Sequence, residues 1–236
     1  MEIGAIPQGA RFAVYLVPPP EHGLTHRAAA WLGRNPWTGK PVTQPDSSGI
    51  APDLMRRATE SARGYGFHAT VVAPFELADG QDVAALRQVL AGLAAGEAAV
   101  PLGLRVSMLS RFMALLAQDQ ATIAALQRRT LDATAPFRAP LSDYDRGRRL
   151  RQAMSERQRQ NLERWGYPYV CEDFIFHMTL SGRLSEREAP LFLSAAQAWF
   201  GEALAGPVQG FGLGLFRQED RQSSFVGDSF YAFGQP

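Results

Sequence analysis

The sequence predicts an α+β protein of two lobes, each a small sheet backed by helices. Segments rich in strand-forming residues alternate with segments whose apolar residues recur at helical spacing. A strand–helix–strand succession begins near His68, and a second one begins near His177. The two halves of the chain therefore share the same order of elements. We therefore expect one domain over residues 1–236, with lobes of roughly residues 11–110 and 111–233.

Seven segments carry the strand signal, a run of β-branched, aromatic and other apolar residues bounded by turn formers. The first, Arg11 to Val17, is stopped by three prolines at Pro18, Pro19 and Pro20. The predicted strands cover residues 11–17, 67–75, 102–109, 112–117, 174–180, 208–217 and 225–233.

Helices are predicted where apolar residues recur every three or four positions. They cover residues 24–33, 52–62, 81–95, 119–133 and 186–200, and a further helix begins at Ser155 inside a basic segment. Asp119 and Ser155 are residue types that cap helix N-termini. The stretch from Asn35 to Asp53 is rich in Pro, Gly and Ser and is predicted to be a loop.

The composition is typical of a globular protein. Of the 236 residues, 46% are hydrophobic and 20% are charged, and the net charge of +1 excludes a surface that is basic all over. The single cysteine, Cys171, excludes an internal disulfide framework and a cysteine-rich zinc site. The start lacks the layout of a signal peptide, and the apolar run Phe12 to Val17 is too short to span a membrane. We expect a cytoplasmic location and no membrane partner.

Two of the four histidines occur in the same short pattern, His68-Ala69-Thr70 and His177-Met178-Thr179. Because residues two apart on a strand point to one side, each predicted strand presents an imidazole and a hydroxyl together, opposite its apolar face. A strand histidine alone is more often structural and bonded to the backbone. The paired pattern favours a catalytic role instead.

The paired pattern suits transfer at phosphorus. One neutral imidazole can take a proton from an attacking hydroxyl or water, and a second, protonated imidazole can give one to the leaving oxygen. The hydroxyls of Thr70 and Thr179 can donate to the non-bridging phosphate oxygens. This chemistry needs no metal, and we expect no cofactor.

At these residues the sequence resembles the two-histidine (2H) phosphoesterase superfamily, through His68-Ala69-Thr70 and His177-Met178-Thr179-Leu180. The wider stretches are similar to a branch of bacterial phosphonate-metabolism proteins encoded with phosphonate-degradation operons: RFAVYLVPPP, AAAWLGR, YGFHATVVAPF, PFRAPLS, RWGYPYV and FHMTLSGRL. The resemblance implies a bilobal fold in which two small, mainly antiparallel sheets line a central cleft with helices outside. It implies a metal-independent phosphoric diester hydrolase acting on a small phosphodiester or cyclic phosphate.

One departure from that branch falls at Val72, where relatives often carry Lys. The predicted strand places Val72 on the face of His68 and Thr70, so a phosphate-facing cation is expected to be missing there.

Further residues are predicted to bind substrate. Arg11 and Tyr15 share one face of the first strand, and Tyr65 and Tyr167 flank the predicted catalytic strands. The segment from Arg146 to Arg164 holds seven Arg and two Glu. It is interpreted either as a solvated helix face or as a binding site for a phosphate-rich ligand, since Arg binds phosphate in bidentate fashion. Within it, Arg148 and Arg149 precede the predicted helix and are expected in a loop that folds over the cleft.

The leading hypothesis is an enzyme for a small phosphorylated substrate; the sequence leaves its oligomeric state open, and a monomer is favoured. Opening of a 2′,3′-cyclic phosphate at an RNA end and non-catalytic binding of a phosphate ester or phosphonate stay open as alternatives. Nucleotide-binding motifs are not supported. The stretch Gly33 to Lys40 has five residues between its glycines and Pro41 where a P-loop needs Ser or Thr.

Overall fold

The computed structural model describes residues 9–46, 49–99 and 101–234, and its seven α-helices and seven strands confirm the α+β class. The strands are β1 Arg11–Val17, β2 Ala69–Glu76, β3 Leu104–Leu109, β4 Phe112–Ala117, β5 His177–Arg183, β6 Gly212–Gln218 and β7 Val226–Ala232. The helices are α1 Gly23–Leu32, α2 Pro52–Tyr65, α3 Val83–Gly96, α4 Ala121–Thr134, α5 Asp143–Leu150, α6 Glu156–Trp165 and α7 Glu188–Phe200. Short 3₁₀ helices lie at Ala135–Phe137, Cys171–Asp173 and Glu202–Leu204.

The strands form one open antiparallel sheet in the order β3-β4-β5-β2-β1-β6-β7. The two small sheets expected from the sequence are the halves of this sheet, β3-β4-β5 and β2-β1-β6-β7. They meet at a seam where β2 and β5 pair through Ala69 and Met178. That pairing is enough to make the sheet continuous.

The halves of the sheet do not correspond to the predicted lobes of residues 11–110 and 111–233. β3 precedes residue 110 but pairs with β4, and β6 returns from the end of the chain to pair along the whole of β1. The reason is that β2 covers one edge of β1, and the other edge needs a second strand to satisfy its backbone groups. The apolar strand β6 supplies it.

The core lies mainly on one face of the sheet. Alternate residues of β1, namely Phe12, Val14 and Leu16, join the main cluster of buried side chains together with residues of α1, α2, α3, α4 and α7. Ala13, Tyr15 and Val17 point the other way and form a smaller cluster with Phe216 and Phe225. The predicted alternation along this strand is therefore confirmed, and Tyr15 lies on the less covered face.

The helix α5 was not predicted, because Gly147 and several arginines leave its segment without helical apolar periodicity. It begins at Ser142, whose hydroxyl accepts the backbone N–H of Asp145 at 3.3 Å. Arg148 and Arg149 therefore lie on a helix and not in the predicted loop. The next helix, α6, begins as predicted with Ser155 as its cap, in a reciprocal capping box with Gln158.

In the part of the chain that the structure describes, no helix has the length and apolar character needed to cross a lipid bilayer.

Candidate active site

One pocket of about 310 Å³ lies at the seam of the sheet, and all ten residues predicted for the site line it. They come from β1, β2, β5, α2, α5, the segment before β2 and the segment after α6: Arg11, Tyr15, Tyr65, His68, Thr70, Arg148, Arg149, Tyr167, His177 and Thr179. The structure thus brings together residues that are more than 160 positions apart in the sequence.

The register at the seam sets the two His-x-Thr patterns against each other. Ala69 and Met178 are Cα partners in an antiparallel pair. Continuing that register by one residue each way places His68 opposite Thr179 and Thr70 opposite His177. Diagonal neighbours in such a pair are roughly 7–8 Å apart, with their Cβ atoms somewhat closer, so we expect the two imidazoles to flank a space of about the size of a phosphate group.

The ring of His68 is held on three sides. Its Nδ1 lies 2.9 Å from the carbonyl oxygen of Gly66. Since a carbonyl only accepts, Nδ1 carries the proton and Nε2 is left as an acceptor in the neutral ring. Nε2 lies 3.1 Å from the Thr70 hydroxyl, which donates to it. The ring of Tyr15 stacks on the imidazole with centroids 3.7 Å apart.

His177 is oriented by the same local device. Its Nδ1 donates to the carbonyl oxygen of Ile175 at 2.8 Å, again two residues earlier in the chain. The Phe112 ring lies beside it, at 5.7 Å between centroids. Both histidines therefore use Nδ1 for the backbone, and Nε2 is the nitrogen available for chemistry in the pocket.

Burial lowers the pKa of both histidines. For His68 the pKa falls to about 4, because burial disfavours the charged ring and His177 adds like charge, against the Gly66 carbonyl that favours it. Burial also lowers the pKa of His177, opposed by the Ile175 carbonyl. A bound anion raises both values, since it stabilises the charged rings.

The pocket is cationic. Three guanidinium groups, of Arg11, Arg148 and Arg149, line it, and the described residues contribute no carboxylate to its lining. The side chain of Gln218 accepts from Arg11 Nε at 2.8 Å, and the Arg149 guanidinium lies over the Tyr167 ring at 4.9 Å. Neutral partners of this kind position an arginine and leave its charge free for a ligand.

Two buried polar atoms at the pocket have no hydrogen-bond partner among the described residues, the hydroxyl of Tyr15 and Nε of Arg149. Tyr15 is 0% exposed and its pKa is raised well above the usual value, with burial as the main cause. Because buried polar groups are almost always hydrogen-bonded in folded proteins, such donors are typical of a site completed by a ligand.

Val72 does not lie on the face predicted for it. Tyr15 pairs with Thr70, and Val14 pairs with Val72, so β2 contains one more residue than β1 over this step. The bulge reverses the alternation, and Val72 enters the main core at 1% exposed. The prediction that Val72 lies on the phosphate-facing side, where a cation would then be missing, is therefore wrong.

Sequence reasoning missed five residues that line the pocket: Ser61, Ala62, Gly66, Ala73 and Pro74. Ser61 and Ala62 belong to α2, and nothing in their local sequence marks them as functional. Gly66 had a possible signal, because it stands two residues before the histidine whose ring its carbonyl orients.

Most of the basic segment from residue 146 to residue 164 faces away from the pocket, and its arginines pair with nearby carboxylates. The pairs are Arg146 with Glu163 at 2.7 Å, Arg157 with Asp173 at 2.7 Å and Arg159 with Glu156 at 3.5 Å. For these residues the interpretation as a solvated helix face holds. Only Arg148 and Arg149 of this segment line the pocket.

Within residues 9–46, 49–99 and 101–234, no group of three or more His, Cys, Asp or Glu side chains is arranged to hold a metal ion. The chemistry available to the pocket from the described side chains is therefore proton transfer, hydrogen-bond donation and cation–anion attraction.

The fold and pocket define a class of protein: an open antiparallel α+β sheet in which two histidine–threonine pairs meet beside a cluster of arginines. The chain belongs to the family described as "Protein of unknown function (DUF1045)", whose model matches residues 70–226. That range begins at Thr70 and includes His177 and Thr179.

Two curated relatives carry the name ribose 1,5-bisphosphate phosphokinase PhnN. The protein from Laribacter hongkongensis (strain HLHK9) is 39% identical over 91% of this chain and 50% of its own length. The protein from Janthinobacterium sp. (strain Marseille) is 35% identical over 92% of this chain and 49% of its own length. The chain thus spans about half the length of these relatives.

Proposed function

We propose that this protein is a phosphodiesterase of the two-histidine type, acting on a small cyclic or open phosphodiester of a ribose phosphate. The observation that carries the proposal is the matched placement of His68 and His177 at the seam. Each imidazole is turned by the carbonyl two residues before it, so both leave Nε2 for the pocket. Histidines with a purely structural role are not expected to direct both Nε2 atoms toward one shared pocket.

The reaction needs two proton transfers and one exchange at phosphorus. Water attacks the phosphorus atom, and the neutral imidazole of His68 takes its proton. The ester P–O bond breaks, and the protonated imidazole of His177 gives a proton to the leaving oxygen. His68 is assigned as the base because its pKa of about 4 keeps it neutral at physiological pH. His177 is the acid once the phosphate anion has raised its pKa.

The two threonines act on the phosphate itself, and the arginines of α5 make the pocket attractive to an anionic substrate. Thr70 and Thr179 stand opposite the histidines of the other strand, and Thr179 can donate its hydroxyl hydrogen to a non-bridging oxygen. Thr70 does the same when its hydroxyl turns from His68 Nε2 to the bound phosphate, which leaves that nitrogen free to accept the proton of water. Arg148 and Arg149 supply positive charge from above the pocket on α5. Hydrogen-bond donors and positive charges in the pocket stabilise the negative charge that the phosphate already carries. They also stabilise the negative charge that develops in the transition state.

The relatives' name supports a ribose-phosphate substrate and, with it, the link to phosphonate breakdown that the resemblance implies. A phosphokinase needs a nucleotide site, and the glycine-containing stretch at residues 33–40 lacks the spacing of a P-loop. Since the relatives are about twice as long as the matched region, we assign the kinase activity in their name to the half that this chain does not cover. The phosphodiesterase belongs to the half that it does.

The RNA-end alternative is less well supported by the contacts. Arg146, Arg157 and Arg159 are paired with carboxylates and do not form a continuous basic surface for a polynucleotide. The pocket volume of about 310 Å³ is at the small end of the range for ligand sites and suits a sugar phosphate.

The test is turnover of a panel of ribose and nucleoside cyclic phosphates by the purified protein. His68→Ala and His177→Ala should each lower kcat by about 100-fold or more, because general acid or base help is worth roughly 10²–10⁴-fold. The double variant should be little worse than the poorer single variant, since the two groups act in one turnover. Thr70→Ala and Thr179→Ala should lose less, because each removes one neutral donor.

The matched control is His26→Ala, which changes a histidine on α1 that does not line the pocket. Activity should survive EDTA. If His68→Ala keeps normal kcat, or if EDTA abolishes turnover and a divalent ion restores it, the proposed mechanism is wrong. Tight binding of phosphate esters with no turnover of any diester would favour the non-catalytic binder.

A further inference from the structure

The pocket carries more positive charge than one phosphodiester requires. Three guanidinium groups line it, and the lining contributed by the described residues holds no carboxylate. The nearest acidic group to them, Asp145, lies 3.8 Å from Arg148 and is held at 2.7 Å by Arg221, outside the pocket. A phosphodiester brings one negative charge, whereas Arg11 and Arg149 have no carboxylate partner in the described chain and Arg148 shares Asp145 with Arg221.

Arg11 is also set apart from the histidine pair along the sheet. Arg11 stands four residues from Tyr15 along β1, about 13 Å at the rise of a strand, whereas Tyr15 is level with Thr70. Arg149 reaches the pocket from α5, where its guanidinium lies over the Tyr167 ring. The positive charge therefore extends along the pocket beyond the position of a phosphate between His68 and His177.

One donor at this end of the pocket is unsatisfied. Nε of Arg149 is buried without a hydrogen-bond partner in the described chain, and the guanidinium makes no ion pair there. Burial lowers its pKa, although an arginine stays charged at any physiological pH. A half-buried guanidinium with a buried, unpartnered N–H is costly, and a ligand anion would supply the missing partner.

We infer that the pocket contains a second anion subsite, formed by Arg149 with Arg11 and Arg148, that binds a phosphomonoester group of the same substrate. The substrate class is then a small sugar that carries a phosphodiester at the histidines and a phosphomonoester at the arginines. A phosphomonoester carries about −1.5 to −2 charges at neutral pH, which with the diester balances the three guanidinium groups. The assignment rests on the proposed function for the identity of the first phosphate, and the second subsite is tested separately from it.

The kinetic test compares ribose 2,3-cyclic phosphate with and without a 5-phosphate. The 5-phosphorylated form should have a kcat/KM at least 10-fold higher in the natural protein, and Arg149→Gln should reduce that ratio at least fivefold. Using the ratio cancels any general effect of the substitution on the catalytic groups. The matched control is Arg146→Gln on the same helix, because Arg146 is paired with Glu163 and does not line the pocket. Its ratio should be that of the natural protein.

A binding measurement keeps the inference testable if no diester is turned over. Titration calorimetry should show ribose 1,5-bisphosphate binding at least 10-fold more tightly than ribose 1-phosphate, which lacks the 5-phosphate, with the difference lost in Arg149→Gln and kept in Arg146→Gln. Equal affinity for the two compounds, or an unchanged difference in Arg149→Gln, overturns the second subsite. Full kcat in His68→Ala overturns the phosphodiesterase mechanism and leaves the arginine result standing on its own.

Discussion

At the scale of single residues, the chemistry of the pocket depends on which nitrogen of each imidazole is free. In both His68 and His177 the answer comes from the chain itself, since the carbonyl two residues earlier accepts from Nδ1. An orientation imposed by the residue's own strand does not depend on a distant partner. The packing around the rings, unlike their orientation, depends on distant residues, because the Tyr15 ring that covers His68 comes from another strand.

The lowered pKa of His68 predicts a pH dependence of stability. In the unfolded chain a histidine takes up a proton below about pH 6.5, whereas His68 in the folded protein stays neutral until about pH 4. The unfolded state therefore binds more protons between these values, and stability is lost as the pH falls from about 6.5 to 4. One pKa unit is 1.36 kcal/mol, so the natural protein should lose about 2–3 kcal/mol more than His68→Gln over this range.

The measurement is urea unfolding of both proteins at pH 7 and at pH 4.5. Comparing the two proteins removes the contribution of other titrating groups, His22 and His177 included. Parallel loss of unfolding free energy in the natural protein and in His68→Gln would show that His68 is not held neutral by burial.

The unpartnered hydroxyl of Tyr15 predicts a separation of stability from binding. Tyr15→Phe removes a buried hydroxyl that has no partner, so the free energy of unfolding should stay the same or rise slightly. The KM for a phosphodiester substrate should rise several-fold, because the ligand loses one donor. By contrast, Trp31→Phe removes an N–H that donates to the Leu180 carbonyl at 2.9 Å and should destabilise the fold. Marked destabilisation by Tyr15→Phe would contradict the assignment.

At the scale of elements, α5 is the helix that brings arginines to the pocket, and Arg221 links it to the end of β2. Arg221 donates to Asp145 on α5 at 2.7 Å and to Glu76 at the end of β2 at 3.1 Å. Its guanidinium also lies over the Tyr144 ring at 5.2 Å. Burial acts to raise the pKa of Asp145, but the hydrogen bond and charge of Arg221 outweigh it and the pKa is lowered.

Arg221→Gln should therefore loosen α5 and leave Asp145 without its main counter-charge. We expect a loss of about 1–2 kcal/mol in unfolding free energy, a partial value because Arg221 is partly solvated. The KM should rise more than kcat falls, because α5 carries binding groups and the histidines lie elsewhere. Arg217→Gln, which breaks an exposed pair with Glu219, is the control and should change neither quantity much. An unchanged KM in Arg221→Gln would show that α5 is positioned by other contacts.

At the scale of the whole molecule, the site depends on how the two halves of the sheet are joined. The seam between β2 and β5 has one paired position, so other elements must hold the halves together. The helix α2 does so, since it packs on β5 and also lines the pocket through Ser61, Ala62 and Tyr65. Gly182 of β5 permits this contact, because a Cβ there would lie 2.9 Å from Ser61 Oγ and 3.4 Å from the Ala58 carbonyl oxygen.

Gly182→Val should push α2 away from β5. We expect a lower melting temperature together with a loss of activity, although no residue with a proposed chemical role is changed. Gly92→Ala is the control, because a Cβ at that position of α3 meets nothing within 4 Å and should stabilise the helix by about 0.5–1 kcal/mol. Normal activity in Gly182→Val would show that the contact between α2 and β5 does not set the geometry of the pocket.

The parts of this protein that local sequence determines are the helices and strands and the two histidine–threonine pairs. Apolar periodicity and cap residues predicted six of the seven helices, and runs of strand-forming residues predicted all seven strands, to within a few residues. The His-x-Thr patterns on two strands marked the pocket, because a period of two places an imidazole and a hydroxyl on one face whatever the strand pairs with.

Only the tertiary structure decided which strands pair, in what register and with what bulges. Val72 left its expected face because an extra residue in β2 is accommodated against β1, and β6 joined β1 because that edge needed a partner. The helix α5 depends on the distant Arg221, and its own sequence has little helical periodicity. These features depend on contacts between residues that are far apart in the chain. The local sequence of one segment does not show which other segment it will contact.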